Sequence, residues 1–208
     1  MLLYAKIKIN AGEIMRKFLF DLDGTITKIE TLPILAAELD LADEIKIITD
    51  LTLQGKISFE KSFRLRWLVL KNIPIKKIHE IMATVELDKN ISDFIRDNKN
   101  ICAIVTGNLD CWIEPITEKL GCEIFCSESR NNELTKILDK AETVREIKKF
   151  ADKIISVGDS YNDIKMFRES DISVAYGGVH EIPDIVKNSA DYVIHDSKTL
   201  CELLKNFL

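Results

Sequence analysis

The sequence lacks any long hydrophobic run and any surplus of positive charge. No apolar stretch approaches the ~20 residues that span a bilayer, and 29 Lys and Arg are outnumbered by 34 Asp and Glu. A net charge of −5 disfavours a nucleic-acid backbone or an anionic membrane as the main partner. Internal repeats and low-complexity tracts are also missing. With 46% hydrophobic and 30% charged residues, the composition is that of an ordinary globular protein.

Cysteine is scarce and its spacing is irregular. The five cysteines are an odd number, which favours reduced thiols in a cytoplasmic protein. Cys122 and Cys126 are close together, but no second Cys or His pair accompanies them, which argues against a zinc site. Residues 1–14 carry only two lysines and no small-residue cleavage site, so they are a poor signal peptide. We interpret residues 1–14 as a candidate N-terminal extension, because Met15 directly precedes the first predicted strand.

The apolar pattern changes twice along the chain. The run Lys17–Leu22 is typical of a parallel strand that is buried on both faces. Residues 30–98 instead repeat apolar residues every three or four positions, which predicts only helices. From Ile101 onward, short apolar runs alternate with helical segments, as in βαβ units. The polar segment Ser127–Thr135 is expected to be a trimmed connection.

This pattern predicts an α/β fold with an insertion. We expect a Rossmann-like parallel sheet as the catalytic core, formed by residues 15–28 and 99–208. An all-helical cap is expected at residues 29–98, because no strand candidate interrupts that segment.

The first predicted strand ends in two aspartates that are two residues apart. In an open α/β sheet, ligands bind beyond the carboxyl ends of the strands, so Asp21 is expected in that crevice. Gly24 allows a sharp turn that brings Asp23 over the same site. Two carboxylates in different environments can act as nucleophile and proton shuttle. A strand followed by an ordinary Asp-Gly turn is the alternative.

Three further polar groups are expected at the same edge of the sheet as Asp21. Two of them follow predicted strands, and the third begins a predicted helix. Thr106-Gly107 follows the second strand, Asp159 and Asp163 follow another, and Lys140 begins a helix. Singly, they read as a turn, as helix-terminal carboxylates and as a surface lysine. Together they offer donors, a cation and hard oxygen ligands, which suits phosphoryl transfer with Mg²⁺.

These motifs, in this order, resemble the haloacid dehalogenase-like superfamily. Asp21-Leu22-Asp23-Gly24-Thr25, Thr106-Gly107, Lys140 and Gly158-Asp159-Ser160-Tyr161-Asn162-Asp163 match its four motifs. The resemblance implies that Asp21 attacks phosphorus and that Asp23 protonates the leaving oxygen and then activates water. Lys140 and Thr106-Gly107 would bind the phosphate. Mg²⁺ would be held by Asp21, Asp159 and the carbonyl of Asp23, with Asp163 supporting the metal ligands or Lys140.

The predicted cap resembles that of the phosphoserine phosphatase-like branch, through the segment from Gly55 to Arg66. The match implies that Glu30 holds a substrate ammonium and Arg66 a carboxylate, with Leu53 and Phe59 as pocket walls. Asn162 is a further candidate substrate contact. Alternatively, Glu30 is a helix-terminal charge, and Arg66 pairs on the cap surface with Glu60 or Asp50.

The sequence departs from that branch in two places. Asn108 stands where a glycine is common, and its side chain either intrudes on the pocket or adds an amide donor. The second departure is Tyr176-Gly177-Gly178-Val179-His180, in which His180 is interpreted as a helix-entry residue. His79 and His195 are interpreted as surface positions.

The resemblance implies an Mg²⁺-dependent phosphatase that forms an aspartyl-phosphate, with L-phosphoserine as the first substrate candidate. Another small phosphorylated metabolite, such as a sugar phosphate or a methylthiopentyl-type phosphate, is the alternative. A phosphotransferase and a non-catalytic binding module are further alternatives. We expect a monomer or homodimer whose partner is a small phosphorylated metabolite, with no nucleic acid and no membrane.

Overall fold

The computed structural model describes residues 15–208, so the candidate N-terminal extension at residues 1–14 lies outside the described residues. The strands, in chain order, are β1 Arg16–Phe20, β2 Cys102–Leu109, β3 Glu123–Arg130, β4 Glu133–Lys136, β5 Lys153–Gly158, β6 Ile172–Tyr176 and β7 Tyr192–Ile194. The helices are α1 Thr31–Ala36, α2 Ala42–Leu53, α3 Phe59–Leu70, α4 Ile75–Thr84, α5 Lys89–Asp97, α6 Asp110–Leu120, α7 Lys140–Ile147, α8 Ile164–Glu169, α9 Asp184–Lys187 and α10 Ser197–Lys205. Single 3₁₀ turns follow α1 at Ala37–Leu39 and precede α8 at Tyr161–Asp163.

The strands form one mixed sheet in the order β4-β3-β2-β1-β5-β6-β7. All neighbours are parallel except β3 and β4. The central strand β1 pairs on one side with β2, where Phe18 is opposite Cys102, and on the other with β5, where Phe18 is opposite Ile155. This arrangement confirms the predicted α/β class and its parallel core.

Buried residues cover both faces of the sheet. Because side chains alternate along a strand, Phe18 and Phe20 pack on one face and Leu19 on the other. The first face contacts the helical insertion, α6 and α10, and the second contacts α7, α8 and α9. Coverage on both faces explains why β1 is apolar nearly throughout.

Helices α1 to α5 are inserted between β1 and β2, as the sequence predicts. The two chain segments that lead into and out of the insertion are joined by an antiparallel bridge between Thr27 and Leu87. Its last helix, α5, packs directly on the sheet, with the Phe94 ring edge-on to Phe18 at 5.4 Å between centroids. The insertion is therefore attached to the sheet at its base, while α2 and α3 extend over the strand ends.

The interpretation of Ser127–Thr135 as a trimmed connection is wrong. Strand β3 continues through Ser127 to Arg130, and it pairs with β4 as an antiparallel hairpin. Asn131 and Asn132, the two turn residues, have φ of 51° and 59°. A two-residue hairpin turn of type I′ has positive φ at both positions, and Asn tolerates this, so the Asn-Asn pair marks the hairpin.

No helix among residues 15–208 is long and apolar enough to cross a membrane.

Candidate active site

The strand order brings the predicted catalytic residues to one edge of the sheet. Asp21 directly follows β1, and its N–H donates to the carbonyl of Val157 on β5 at 2.9 Å. Asp159 directly follows β5. On the other side, the pairing of β2 with β3 is irregular between Val105 and Leu109. Irregular pairing re-aims side chains near active sites, and here it coincides with the segment that begins at Thr106.

Lys140 is the buried cation at the centre of the site. Its Nζ contacts Oδ1 of Asp21 and lies 2.6 Å from Oδ1 of Asp163. Burial alone would lower the pKa of Lys140, but Asp163 and Asp21 outweigh it and hold the pKa above the usual range. Lys140 begins α7, whose N-cap Asp139 accepts from two backbone N–H groups and fixes the start of that helix. The lysine is thus charged and held in place.

Asp21 is almost completely buried among other carboxylates. Desolvation raises its pKa well above the ordinary value, and Lys140 opposes that effect. The nearby charges of Asp163 and Asp159 raise it further. Carboxylate oxygens of these three aspartates lie within 4.8 Å of one another. Such a buried group of hard oxygen atoms could hold a divalent metal ion.

Asp163 organises the loop after β5. Its Oδ2 accepts from the backbone N–H groups of Asp159 and Ser160 at 3.1 and 3.0 Å, and from the Ser160 hydroxyl at 2.9 Å. The hydroxyl of Thr25 donates to Oδ1 of Asp159 at 2.7 Å. Asp163 therefore orients both Lys140 and the backbone that carries Asp159.

Asp23 is held in a different environment from Asp21. Its Oδ1 accepts from the N–H of Thr31 at 3.2 Å and contacts the Thr31 hydroxyl, while Oδ2 accepts from Nδ2 of Asn108 at 3.0 Å. The amide of Asn108 is oriented by its own Oδ1, which accepts from the N–H of Leu109 at 2.8 Å. The Asn108 amide is therefore a donor, to Asp23 and to the Thr31 hydroxyl, and its side chain also lines the pocket. Gly24, with φ 76°, makes the turn between the strand and this carboxylate.

Arg66 points inward from α3. It is 4% exposed, and it donates to the hydroxyl of Thr49 at 3.2 Å and to the carbonyl of Ser62 at 3.4 Å. Burial lowers its pKa to about 10, although Glu30 and Asp23 oppose this. No carboxylate among residues 15–208 forms an ion pair with it.

The surface pairs considered for Arg66 are made by other residues. Glu60 accepts from Arg64 at 3.1 Å, and Asp50 accepts from Lys46 at 2.6 Å.

The inserted helices and the strand ends line a partly open cavity of about 50 Å³. Phe59 of α3 closes it against β2, where a Cβ on Gly107 would lie 2.0 Å from the Phe59 ring. Glycine is therefore required at position 107 for this contact. The predicted residues that line the cavity are Asp21, Asp23, Glu30, Leu53, Phe59, Arg66, Thr106, Gly107, Asn108, Lys140 and Asn162. Asp159 and Asp163 are buried beside it.

The interpretation of His180 as a helix-entry residue is wrong. His180 lies in the loop between β6 and α9, four residues before the helix begins, and its Nε2 is 2.8 Å from Oδ2 of Asp159 and 3.6 Å from Oε1 of Glu30. Burial alone would lower the pKa of His180, but the two carboxylates raise it to about 11. Burial raises the pKa of Glu30 to about 7, against the effect of His180.

The sequence predicts no role for the hydroxyl groups that support the site, which are those of Thr25, Thr31, Thr49 and Ser160. Thr25 and Ser160 lie within two of the quoted motifs, whereas no spacing pattern distinguishes Thr31 and Thr49 from other threonines. For His180, the only available signal was its departure from the family pattern in the segment after β6.

Comparisons with known proteins agree with this geometry. A family model described as haloacid dehalogenase-like hydrolase matches residues 18–168. The phosphoserine phosphatase of Methanocaldococcus jannaschii is 30% identical over 205 residues, which cover 90% of this chain and 95% of that protein. The phosphoserine phosphatase of Campylobacter jejuni subsp. doylei is 29% identical over 89% of this chain and 96% of its own.

Two solved structures superpose on the chain with a TM-score of 0.80. One is a phospho-aspartyl intermediate analogue of phosphoserine phosphatase, 27% identical, covering 92% of this chain and 99% of that one. The other is a substrate-bound phosphoserine phosphatase complex, 28% identical, covering 93% and 99%. The chain belongs to the haloacid dehalogenase-like hydrolase family, and within it to the phosphoserine phosphatase-like branch.

Proposed function

We propose that the protein hydrolyses L-phosphoserine through an aspartyl-phosphate formed on Asp21, with Mg²⁺ as cofactor. The observation that carries the substrate assignment is Arg66, a buried guanidinium that faces the catalytic cavity without a carboxylate partner among the described residues. A buried charge is costly unless it is paired. A substrate carboxylate would supply that partner, and arginine can bind it through two parallel hydrogen bonds.

Asp21 is the nucleophile in this proposal. Its carboxylate oxygen forms a bond to phosphorus while the bond from phosphorus to the serine oxygen breaks. Lys140, in contact with Asp21 and the cavity, binds the phosphoryl oxygens together with Thr106 and the N–H of Gly107. Because Lys140 is also held by Asp163, its position does not depend on the substrate.

Asp23 transfers the protons. In the first step it gives a proton to the departing serine oxygen, and in the second it takes a proton from the water that attacks the aspartyl-phosphate. The donors Thr31 and Asn108 fix both of its oxygens and so keep the carboxyl group directed at the reacting atoms. The second step returns Asp21 to its free carboxylate and releases inorganic phosphate.

The residues fit Mg²⁺. Asp21 and Asp159 present buried carboxylate oxygens within 4.8 Å of each other, and the carbonyl of Asp23 would complete the protein ligands. When bound, the ion neutralises charge on the phosphoryl oxygens. The raised pKa of Asp21 and of Asp159, each caused mainly by burial, is typical of carboxylates grouped for a cation.

We infer that substrate entry involves movement of the cap. The cavity of about 50 Å³ holds only a few water molecules, whereas ligand pockets measure roughly 300–1,000 Å³. The contact between Phe59 and Gly107 closes the space above Asp21. We infer that α2 and α3 move outward to admit the substrate and return to exclude water.

A second candidate is another small phosphorylated metabolite. Asn108 occupies a position where the branch commonly has glycine, and it narrows the space beside Asp23. The same aspartyl-phosphate could also transfer its phosphoryl group to an alcohol in place of water. We further propose cytoplasmic action by a monomer or homodimer, and the five free cysteines support that location.

The experiment is phosphate release with Mg²⁺ from L-phosphoserine beside a panel of sugar, nucleotide and other small-metabolite phosphates. Asp21→Asn serves as the blank. We expect L-phosphoserine to exceed the other esters at least tenfold in kcat/KM, which is about 1.4 kcal/mol. If another ester is preferred, the substrate assignment is wrong while the phosphatase chemistry remains. If no ester is hydrolysed faster than by the blank, both the substrate assignment and the phosphatase chemistry are wrong.

A further inference from the structure

Three buried side-chain atoms face one another at the edge of the catalytic cavity. They are Oε1 of Glu30, Oδ2 of Asp159 and Nε2 of His180, all within 4.8 Å of one another. The imidazole nitrogen lies 2.8 Å from the Asp159 oxygen and 3.6 Å from the Glu30 oxygen. Apart from these contacts with one another, none of the three atoms has a hydrogen-bond partner among the described residues. Buried polar atoms are rarely left in this way.

The same three atoms converge on one position beside Gly24. A Cβ built there would lie 2.9 Å from Oε1 of Glu30, 2.9 Å from Nε2 of His180 and 3.1 Å from Oδ2 of Asp159, and these would be its nearest neighbours. Since glycine carries no side chain, the three atoms can approach the backbone of Gly24 this closely. They converge on one point there, from which each is about equally distant.

We propose that Glu30, Asp159 and His180 form a second metal site, which binds a divalent transition ion of the Zn²⁺ type and is separate from the proposed Mg²⁺ site. A Zn²⁺ ion with ligands at ~2.0–2.1 Å places neighbouring ligand atoms about 3.4 Å apart. The two distances measured from His180 lie on either side of that value. Three protein ligands would leave a fourth position open.

The donor set selects a transition ion over Mg²⁺. Imidazole nitrogen is a good ligand for Zn²⁺ and other borderline ions, whereas Mg²⁺ prefers oxygen ligands throughout. The proposed Mg²⁺ ligands are oxygens alone, so the two sites differ in chemistry.

Asp159 belongs to both sites. A carboxylate between two metal ions is the arrangement of two-metal centres, in which the ions lie about 3.5–4 Å apart. The Thr25 hydroxyl, which donates to Oδ1 of Asp159, fixes the side chain so that Oδ2 faces His180. Glu30 uses Oε1 here, which leaves Oε2 for the substrate ammonium contact that the family resemblance implies.

The test measures metal binding to the whole chain, without reference to activity. Protein stripped of metals by a chelator is saturated with excess Mg²⁺ and titrated with Co²⁺, a visible substitute for Zn²⁺. Binding is followed by calorimetry and by the cobalt absorption bands, and the total metal per chain is determined by elemental analysis. We expect one Co²⁺ in addition to one Mg²⁺, with no cobalt–thiolate charge-transfer band.

Variants locate the site. His180→Gln and Glu30→Gln are each expected to weaken Co²⁺ binding at least about 100-fold, because loss of indirect partners alone costs 10–100-fold. The matched controls are His79→Gln and His195→Gln, which alter the other two histidines of the chain. These two variants are expected to leave the Co²⁺ affinity unchanged. Circular dichroism checks that each variant is folded.

Four results would overturn the proposal. The first is that excess Mg²⁺ prevents Co²⁺ binding, the second is a total of one metal per chain, and the third is unchanged Co²⁺ affinity in His180→Gln. A thiolate band would likewise place the ion on cysteine and exclude this site.

Discussion

At the scale of single residues, two arginines that are two positions apart on the same helix differ in their exposure to solvent. Arg64 and Arg66 are both in α3, but Arg64 is exposed and pairs with Glu60 at 3.1 Å, whereas Arg66 is buried beside the cavity. An exposed ion pair contributes little to stability. The buried guanidinium is available for recognition, so the two residues form a natural pair for mutagenesis.

Arg66→Ala is expected to raise KM for L-phosphoserine at least ~30-fold, because truncating one partner of a buried charge pair costs roughly 2–5 kcal/mol. KM for an aryl phosphate, which has no carboxylate, should change less than about threefold. Steady-state kinetics on both substrates measures the difference.

Arg64→Ala is the control, and it should leave both KM values near those of the unmodified protein. An equal rise in KM for both substrates in Arg66→Ala would remove this arginine from substrate recognition.

At the scale of elements, the contact between α3 and β2 decides whether the cavity is closed. The ring of Phe59 lies where a side chain at Gly107 would be, 2.0 Å from a built Cβ. Phe59 also stacks on Phe63, with centroids 5.5 Å apart, so the ring is held by its own helix. A larger residue at position 107 must therefore move α3 rather than only the ring.

Gly107→Ala is expected to lower kcat/KM about 100-fold, with the fold retained, because the displaced helix leaves the reacting groups misplaced and exposed to water. The double variant Gly107→Ala with Phe59→Leu should recover about tenfold, since the smaller side chain makes room for the methyl group. Kinetics and circular dichroism of the single and double variants are compared.

Lack of recovery, together with normal activity of Phe59→Leu alone, would mean that Gly107 acts only through its backbone and that the contact does not govern closure.

At the scale of the whole molecule, the sheet topology places several carboxylates at one buried edge. Burial raises the pKa of Asp21, Glu30 and Asp159, the value for Glu30 being about 7. A carboxylate whose folded-state pKa is raised binds a proton that the unfolded chain has already lost. Between about pH 4, the unfolded value, and the raised pKa, stability therefore falls as pH rises.

Metal-free protein is accordingly expected to lose thermal stability from about pH 4.5 to pH 7, and Mg²⁺ should restore it. Asp21→Asn, which cannot ionise, should flatten this loss and raise Tm at pH 7 by ~2–4 °C, equivalent to about 1 kcal/mol. Tm is measured by calorimetry across this pH range, with chelator or with Mg²⁺.

Asp93→Asn is the matched control. Asp93 is exposed, and its pairs with Lys89 and Arg96 lower its pKa. It stays ionised throughout this range in either state, so its removal should not alter the slope. A Tm of metal-free protein that rises towards pH 7, or an unchanged slope in Asp21→Asn, would contradict the assignment of repulsion to the buried carboxylates.

The sequence by itself determined the order of the elements apart from the β3–β4 hairpin, and it identified the residues of the core motifs. The continuous apolar run of β1 and the helical spacing of residues 30–98 depend on local periodicity, which the chain carries without tertiary context. Asp21, Thr106, Lys140 and Asp159 were predicted together because parallel strands bring their carboxyl ends to one edge.

Only the tertiary structure decided the contacts between residues that are far apart in the sequence and close together in the fold. The β3–β4 hairpin was missed because its strands are polar and half-exposed. The one available signal was the Asn131-Asn132 pair, since asparagine tolerates the positive φ of a hairpin turn. The pairing of Asn108 with Asp23, and of His180 with Asp159, joins residues 85 and 21 positions apart. No spacing rule connects such residues, since their distance is set by how the loops pack on the sheet and not by the sequence between them.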